Sequence, residues 1–124
     1  MDRKLIEKII GKNNYISLND EIYILREITN IMRRNIQNNL VFTDELINEV
    51  NIKTLRSKSI VKEIIEVLEN DSFVIGYTNS KSYLLKYLKN INNNLEGILK
   101  STNPFNYDEL IIYANSLIDL ILIF

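Results

Sequence analysis

Residues 40–85 read LVFTDELINEVNIKTLRSKSIVKEIIEVLENDSFVIGYTNSKSYLL, and the fold turns on how this stretch is divided. Leu40-Val41-Phe42 is a short extended run, too brief for a helix. Thr43 stands where a helix N-cap belongs, since its side-chain oxygen can accept from a free amide of the first turn. Asp44 and Glu45 then place negative charge at the positive end of that helix. On this reading residues 44–50 form a short helix with Leu46, Ile47 and Val50 as its inner face. A connection at residues 51–55 leads to a longer helix reaching about residue 69, buried along Val61, Ile64, Ile65 and Leu68. Residues 72–77 read as a strand, Thr78-Asn79-Ser80-Lys81 as a turn and residues 82–85 as the returning strand. A bracing helix, a longer helix and a hairpin in that order predict a winged helix-turn-helix, mainly α with one small β-hairpin. In that design the second helix enters the major groove of DNA.

The charge pattern points the same way. Lys53, Arg56, Lys58 and Lys62 come together with no acidic residue between them, and Ser57 and Ser59 add small hydrogen-bond donors. Glu63, Glu66 and Glu69 follow only where a recognition helix would leave the groove. Tyr77 and Lys81, in the hairpin, complete the candidate DNA contacts. The competing reading of the same run is a solvated helix face. Winged helices also serve as protein-binding modules, so a protein-interaction role stands beside the DNA-binding one.

Outward from this segment, the chain holds three Gly and one Pro, so breakers are scarce. Residues 1–10 predict a short helix stopped by Gly11-Lys12-Asn13-Asn14. Ser17 or Asn19 then caps a second helix whose apolar face is Ile22, Leu25, Ile28, Met32 and Ile36, with Arg26, Arg33 and Arg34 opposite. Residues 35–39 end it. On the other side, Leu84, Leu88, Ile91, Leu95 and Ile98 recur at alternating steps of four and three, a heptad-like seam. After Pro104 a last helix starts near Tyr107 and carries Leu110, Ala114, Leu117 and Ile121. One domain over residues 1–124 follows, divided into N-terminal helices (1–39), helix-turn-helix and wing (40–85) and C-terminal helices (86–124). Leaving so many large apolar side chains in water is unfavourable by roughly 1.5–3 kcal/mol each. Leu84, Leu88, Ile91, Leu95, Leu110, Leu117, Ile121 and Phe124 are therefore expected to join two copies as a homodimer, with packing against residues 20–36 as the alternative.

The totals exclude several classes. There are 15 basic and 16 acidic residues, a net charge of −1, so no general basic coat exists for nucleic acid. Without cysteine there is neither a disulfide framework nor a thiolate metal site, and without histidine the commonest general base and metal ligand are missing. No glycine-rich phosphate loop is present, which leaves an enzyme disfavoured and no cofactor or metal expected. The first residues, MDRKLIEKIIGKNN, lack the apolar core of a signal peptide, and the apolar run at residues 117–124 is too short to span a bilayer. A cytoplasmic protein is expected.

The layout is similar to that of MarR-type transcription regulators, especially the staphylococcal accessory regulator group. Ser17-Leu18-Asn19-Asp20-Glu21-Ile22-Tyr23-Ile24-Leu25 looks like that group's entry into its second helix, residues 43–74 like its helix-turn-helix, and Phe105-Asn106-Tyr107-Asp108-Glu109-Leu110 like the start of its last helix. The connection before the recognition helix is about four residues longer than usual in such motifs. The wing offers Lys81 where those relatives carry Asp-Glu-Arg. The resemblance implies a homodimer joined through its terminal helices, with two recognition helices reading a pseudo-palindromic DNA site.

Overall fold

Gly11 separates the first two helices with a single residue at φ 86°, a left-handed backbone conformation that glycine adopts without a Cβ penalty. In the computed structural model, which describes residues 3–39, 41–70 and 78–123, it joins α1 (Arg3–Ile10) to α2 (Lys12–Gln37). Next come α3 (Asp44–Asn70), α4 (Thr78–Thr102) and α5 (Tyr107–Ile123). Asn39, also at positive φ, helps turn the chain out of α2. Thr43 caps α3 as anticipated, accepting from the Leu46 amide at 3.1 Å through its hydroxyl oxygen. The Asn106 side chain does the same for α5, accepting from the Glu109 amide at 3.2 Å.

The four long helices form a ring in which α2 meets α3, α3 meets α4, α4 meets α5 and α5 closes back onto α2. Cross-helix partners fix the directions. Lys58 pairs with Glu96 and Glu69 with Lys89, so α3 and α4 run antiparallel. Gly97 faces Tyr113 while Tyr87 reaches Leu120, so α4 and α5 do too. The result is an up-down-up-down four-helix bundle, with α1 laid on α2 and α3. Its core is built from Leu18, Ile22, Leu25 and Met32 of α2, Ile64 and Leu68 of α3, the full seam of α4, and Leu110, Leu117 and Ile121 of α5. Ile6, Ile9 and Ile10 of α1 join the same core.

This arrangement overturns the winged helix. The predicted bracing helix, connection and recognition helix are one uninterrupted helix, α3, so the predicted helix-turn-helix is not formed there. The predicted turn at residues 78–81 and returning strand at residues 82–85 are the first turns of α4, and the proposed boundary at residues 85/86 falls inside that helix. Residues 72–77, the other predicted strand, lie outside the described residues. Among the described residues there is no strand, only an isolated bridge between Thr102 and Phe105. Ser17 and Asn19 cap nothing, because α2 already begins at Lys12.

The dimer assignment of the seams also needs correction. Leu84, Leu88, Ile91, Leu95, Leu110, Leu117 and Ile121 are all buried within the single chain. Closing the ring supplies the apolar partner that the seam required, so these side chains have no surface left for a second copy. Phe124 lies outside the described residues.

Candidate functional site

The basic stretch of α3 is placed by helical geometry on several sides of one helix rather than on one presented face. Ser57 sits on the side turned to α2, where it is fully buried and donates to Glu21 Oε2 at 3.1 Å. The neighbouring Arg56 is 64% exposed along its side chain but bends back so that Nη2 lies 3.0 Å from Glu21 Oε1. Glu21, only 2% exposed, thus has both oxygens engaged by consecutive residues of α3. A buried carboxylate needs such a partner set, since an uncompensated charge in a core is strongly destabilising. Arg56 and Ser57 are accordingly structural partners of α2, and Ser57 cannot reach DNA.

The other predicted contacts divide. Lys53 pairs with Glu49 one turn earlier, at 3.1 Å, and Lys58 with Glu96 of α4 at 3.0 Å. The hydrogen bond from Lys58 holds the Glu96 carboxyl below the usual glutamate range. The charge of Lys58 adds to this, followed by those of Lys100 and Lys62. Lys58 thus pairs directly with this glutamate, while Lys62 of α3 and Lys100 of α4 act on it only through their charge. Ser59 and Lys62 are exposed, and Lys81 is partly buried in the first turns of α4 rather than at a hairpin tip. Tyr77 lies outside the described residues.

A second surface was not singled out by the sequence reading. The α2–α3 and α4–α5 connections meet at one end of the bundle, where Phe42 packs against Phe105 (ring centroids 5.7 Å apart) and edge-on against Tyr107 (6.0 Å). Phe105 and Tyr107 remain partly open to solvent, and the adjacent Val41 is 82% exposed. Asp44 and Glu45 follow this cluster on α3, and Asp108 and Glu109 on α5, while Arg34 and Lys100 end α2 and α4 there. The signal available in the sequence was the VF/PF pair of loop aromatics, Val41-Phe42 and Pro104-Phe105, each just ahead of a capped helix.

At the opposite end of α5, two side chains donate to backbone carbonyls of its last turn. Arg26 of α2 donates to the Ile121 carbonyl at 3.0 Å, and the Tyr87 hydroxyl of α4 to the Leu120 carbonyl at 2.7 Å. Burial pushes the Tyr87 hydroxyl well above its ordinary value, partly offset by the Arg26 charge. Among the described residues no group of three or more acidic side chains is placed to hold a metal ion. No described helix is long and apolar enough to cross a membrane. No family model, curated protein or solved structure matches this chain, so the MarR-type likeness rests on the quoted patterns alone, and the fold it implied is not the one present.

Proposed function

We propose that this chain is a non-catalytic protein-interaction module, an adaptor or inhibitor acting in the cytoplasm through the loop end of its bundle. The observation that carries this reading is the cluster in which the exposed Phe105 and Tyr107 rings pack on the partly buried Phe42, beside the exposed Val41. Aromatic side chains concentrate binding energy at protein interfaces, because they offer large rigid area at small entropic cost. The cations first assigned to DNA support it by elimination: Lys53, Arg56 and Lys58 are engaged by Glu49, Glu21 and Glu96 of the same chain.

The nucleic-acid reading keeps one specific support, the positive charge of Lys58, Lys62 and Lys100 that acts on Glu96 across α3 and α4. One comparison separates the two. Wild type, Val41→Asp and Phe105→Ser are cross-linked in cells and their partners recovered, while the same proteins are titrated with DNA across a salt series. A protein held by wild type and lost from both variants, with helicity unchanged, supports the interaction module. Salt-steep, sequence-preferring DNA binding that falls in Lys62→Ala and Lys100→Ala replaces it with the DNA-binding reading.

A further inference from the structure

The outward face of α5 carries two large apolar side chains that ring closure leaves exposed. Ile112 is 65% exposed and Leu122 is 71% exposed, and between them on the same face stand Asn115 and Asp119. The four positions follow steps of three, four and three, so the order apolar, polar, polar, apolar reads the same about its midpoint. A stripe with that symmetry matches itself when reversed.

From this we infer that α5 docks against α5 of a second copy, antiparallel across a two-fold axis. In that register Ile112 meets Leu122 of the second copy, and the Asn115 amide donates to the Asp119 carboxylate of the second copy, each contact occurring twice as an isologous interface requires. Charge selects this direction. A parallel pairing would set Asp119 against its own copy, placing like charges face to face, whereas the antiparallel one gives each carboxylate an amide donor. Arg33 of α2 adds a cation at the flank: it lines the same surface depression as Asn115, Asp119 and Leu122, yet makes no ion pair with Asp119 inside its own chain. Asp108 and Glu109 lie outside the paired span. An interface of one helix pair falls at the small end of the specific range, below about 1,200 Å² in total, so the dimer is weak and exchanges readily. The buried seams of α4 and α5 take no part in it, which distinguishes this surface from the one expected from the sequence.

The test uses the absence of cysteine, so that each variant carries one thiol. Ile112→Cys and Leu122→Cys are purified separately and oxidised gently, alone and mixed. The antiparallel register brings residue 112 opposite residue 122 of the second copy. It keeps residue 112 about 15 Å from residue 112 of the other copy, ten residues at the helical rise. A disulfide needs Cα atoms within about 7 Å. The mixture is expected to form the mixed cross-link while neither variant cross-links alone. Wild type is followed by sedimentation from micromolar to millimolar concentration, with Ile112→Glu and Leu122→Glu as exposed, fold-neutral controls checked by circular dichroism. A mass that rises with concentration in wild type and not in the controls is the expected companion result. Cross-links within a single-variant solution, no mixed cross-link, or a wild type that stays monomeric throughout overturns the proposal.

Discussion

The α2–α3 and α4–α5 interfaces solve the same packing problem by opposite means. Between α2 and α3 a carboxylate is buried, and the helices are held by the two bonds that satisfy Glu21. Between α4 and α5, Gly97 leaves room for a ring: a Cβ there would clash with the Tyr113 ring, so the ring rests against bare backbone. The first contact depends on a charge being answered and tolerates the loss of both partners better than of one. The second depends on volume and tolerates nothing added.

Breaking the first contact from one side gives the largest effect. Arg56→Ala leaves Glu21 buried with only Ser57. Removal of one member of a buried pair costs 3–5 kcal/mol, and because the guanidinium is mostly exposed we expect about 2 kcal/mol here. The check is the shift of the denaturation midpoint at unchanged slope. Glu21→Met combined with Ser57→Ala, which removes the charge and its buried donor and fills the volume, stays within about 1 kcal/mol of wild type. Should the two variants lose equal stability, the charge is not what the clasp is for.

Adding one methyl group to the second contact comes next. Gly97→Ala forces the Tyr113 ring aside, an overpacking cost of about 1–3 kcal/mol, against a helix-propensity gain of about 1 kcal/mol. A double-mutant cycle with Tyr113→Ala should show coupling, the alanine at position 97 being tolerated once the ring is gone. Additive losses would place the strain elsewhere.

Smaller again is Tyr87→Phe, which removes the hydroxyl's bond to the Leu120 carbonyl and costs about 1 kcal/mol. Its pH signature is sharper than its size. The folded state holds the hydroxyl protonated beyond the ordinary tyrosine value of 10.0, whereas the unfolded chain releases the proton there. Wild-type stability therefore falls as pH rises above that value, and the phenylalanine variant should lose this part of the alkaline decline in thermal melts. The smallest effect belongs to the half-exposed Lys58–Glu96 pair. The lowered carboxyl makes it favourable above the ordinary glutamate range and inert once pH has dropped through the lowered value. Melts of wild type and Glu96→Gln should converge in acid and in high salt.

The contrast between the two interfaces also explains what could be read in advance. The α4 and α5 seams, with Leu84, Leu88, Ile91, Leu95 and Leu110, Leu117, Ile121, keep strict apolar periodicity and were legible as helix faces. So were the Thr43 cap and the start at Tyr107. What failed was the middle of α3, where the buried positions are Val50, Thr54, Ser57 and Val61 while Ile52 and Leu55 point outward. Ser57 stands inside to meet Glu21, and with Thr54 also buried the apolar pattern that marks a continuous helix is inverted. Asn51, Lys53 and Thr54 then resemble a connection. The basic run was correctly located in the sequence, but its partners Glu21 and Glu96 lie on other helices, and no local pattern reveals them. Whether the apolar seams faced another copy or the same chain depended on ring closure, which spacing along one helix does not encode.

Ring closure carries a consequence for the order of folding. Each of the contacts α2–α3, α3–α4 and α4–α5 joins neighbours along the chain, and such local hairpins form early because little loop entropy is lost. The Arg26–Ile121 bond spans 95 residues and joins the first long helix to the last. The seam it belongs to is therefore expected to close last, after the transition state. Changes at Arg26 should hasten unfolding and leave the folding rate nearly untouched, while changes in the α3–α4 hairpin slow folding itself.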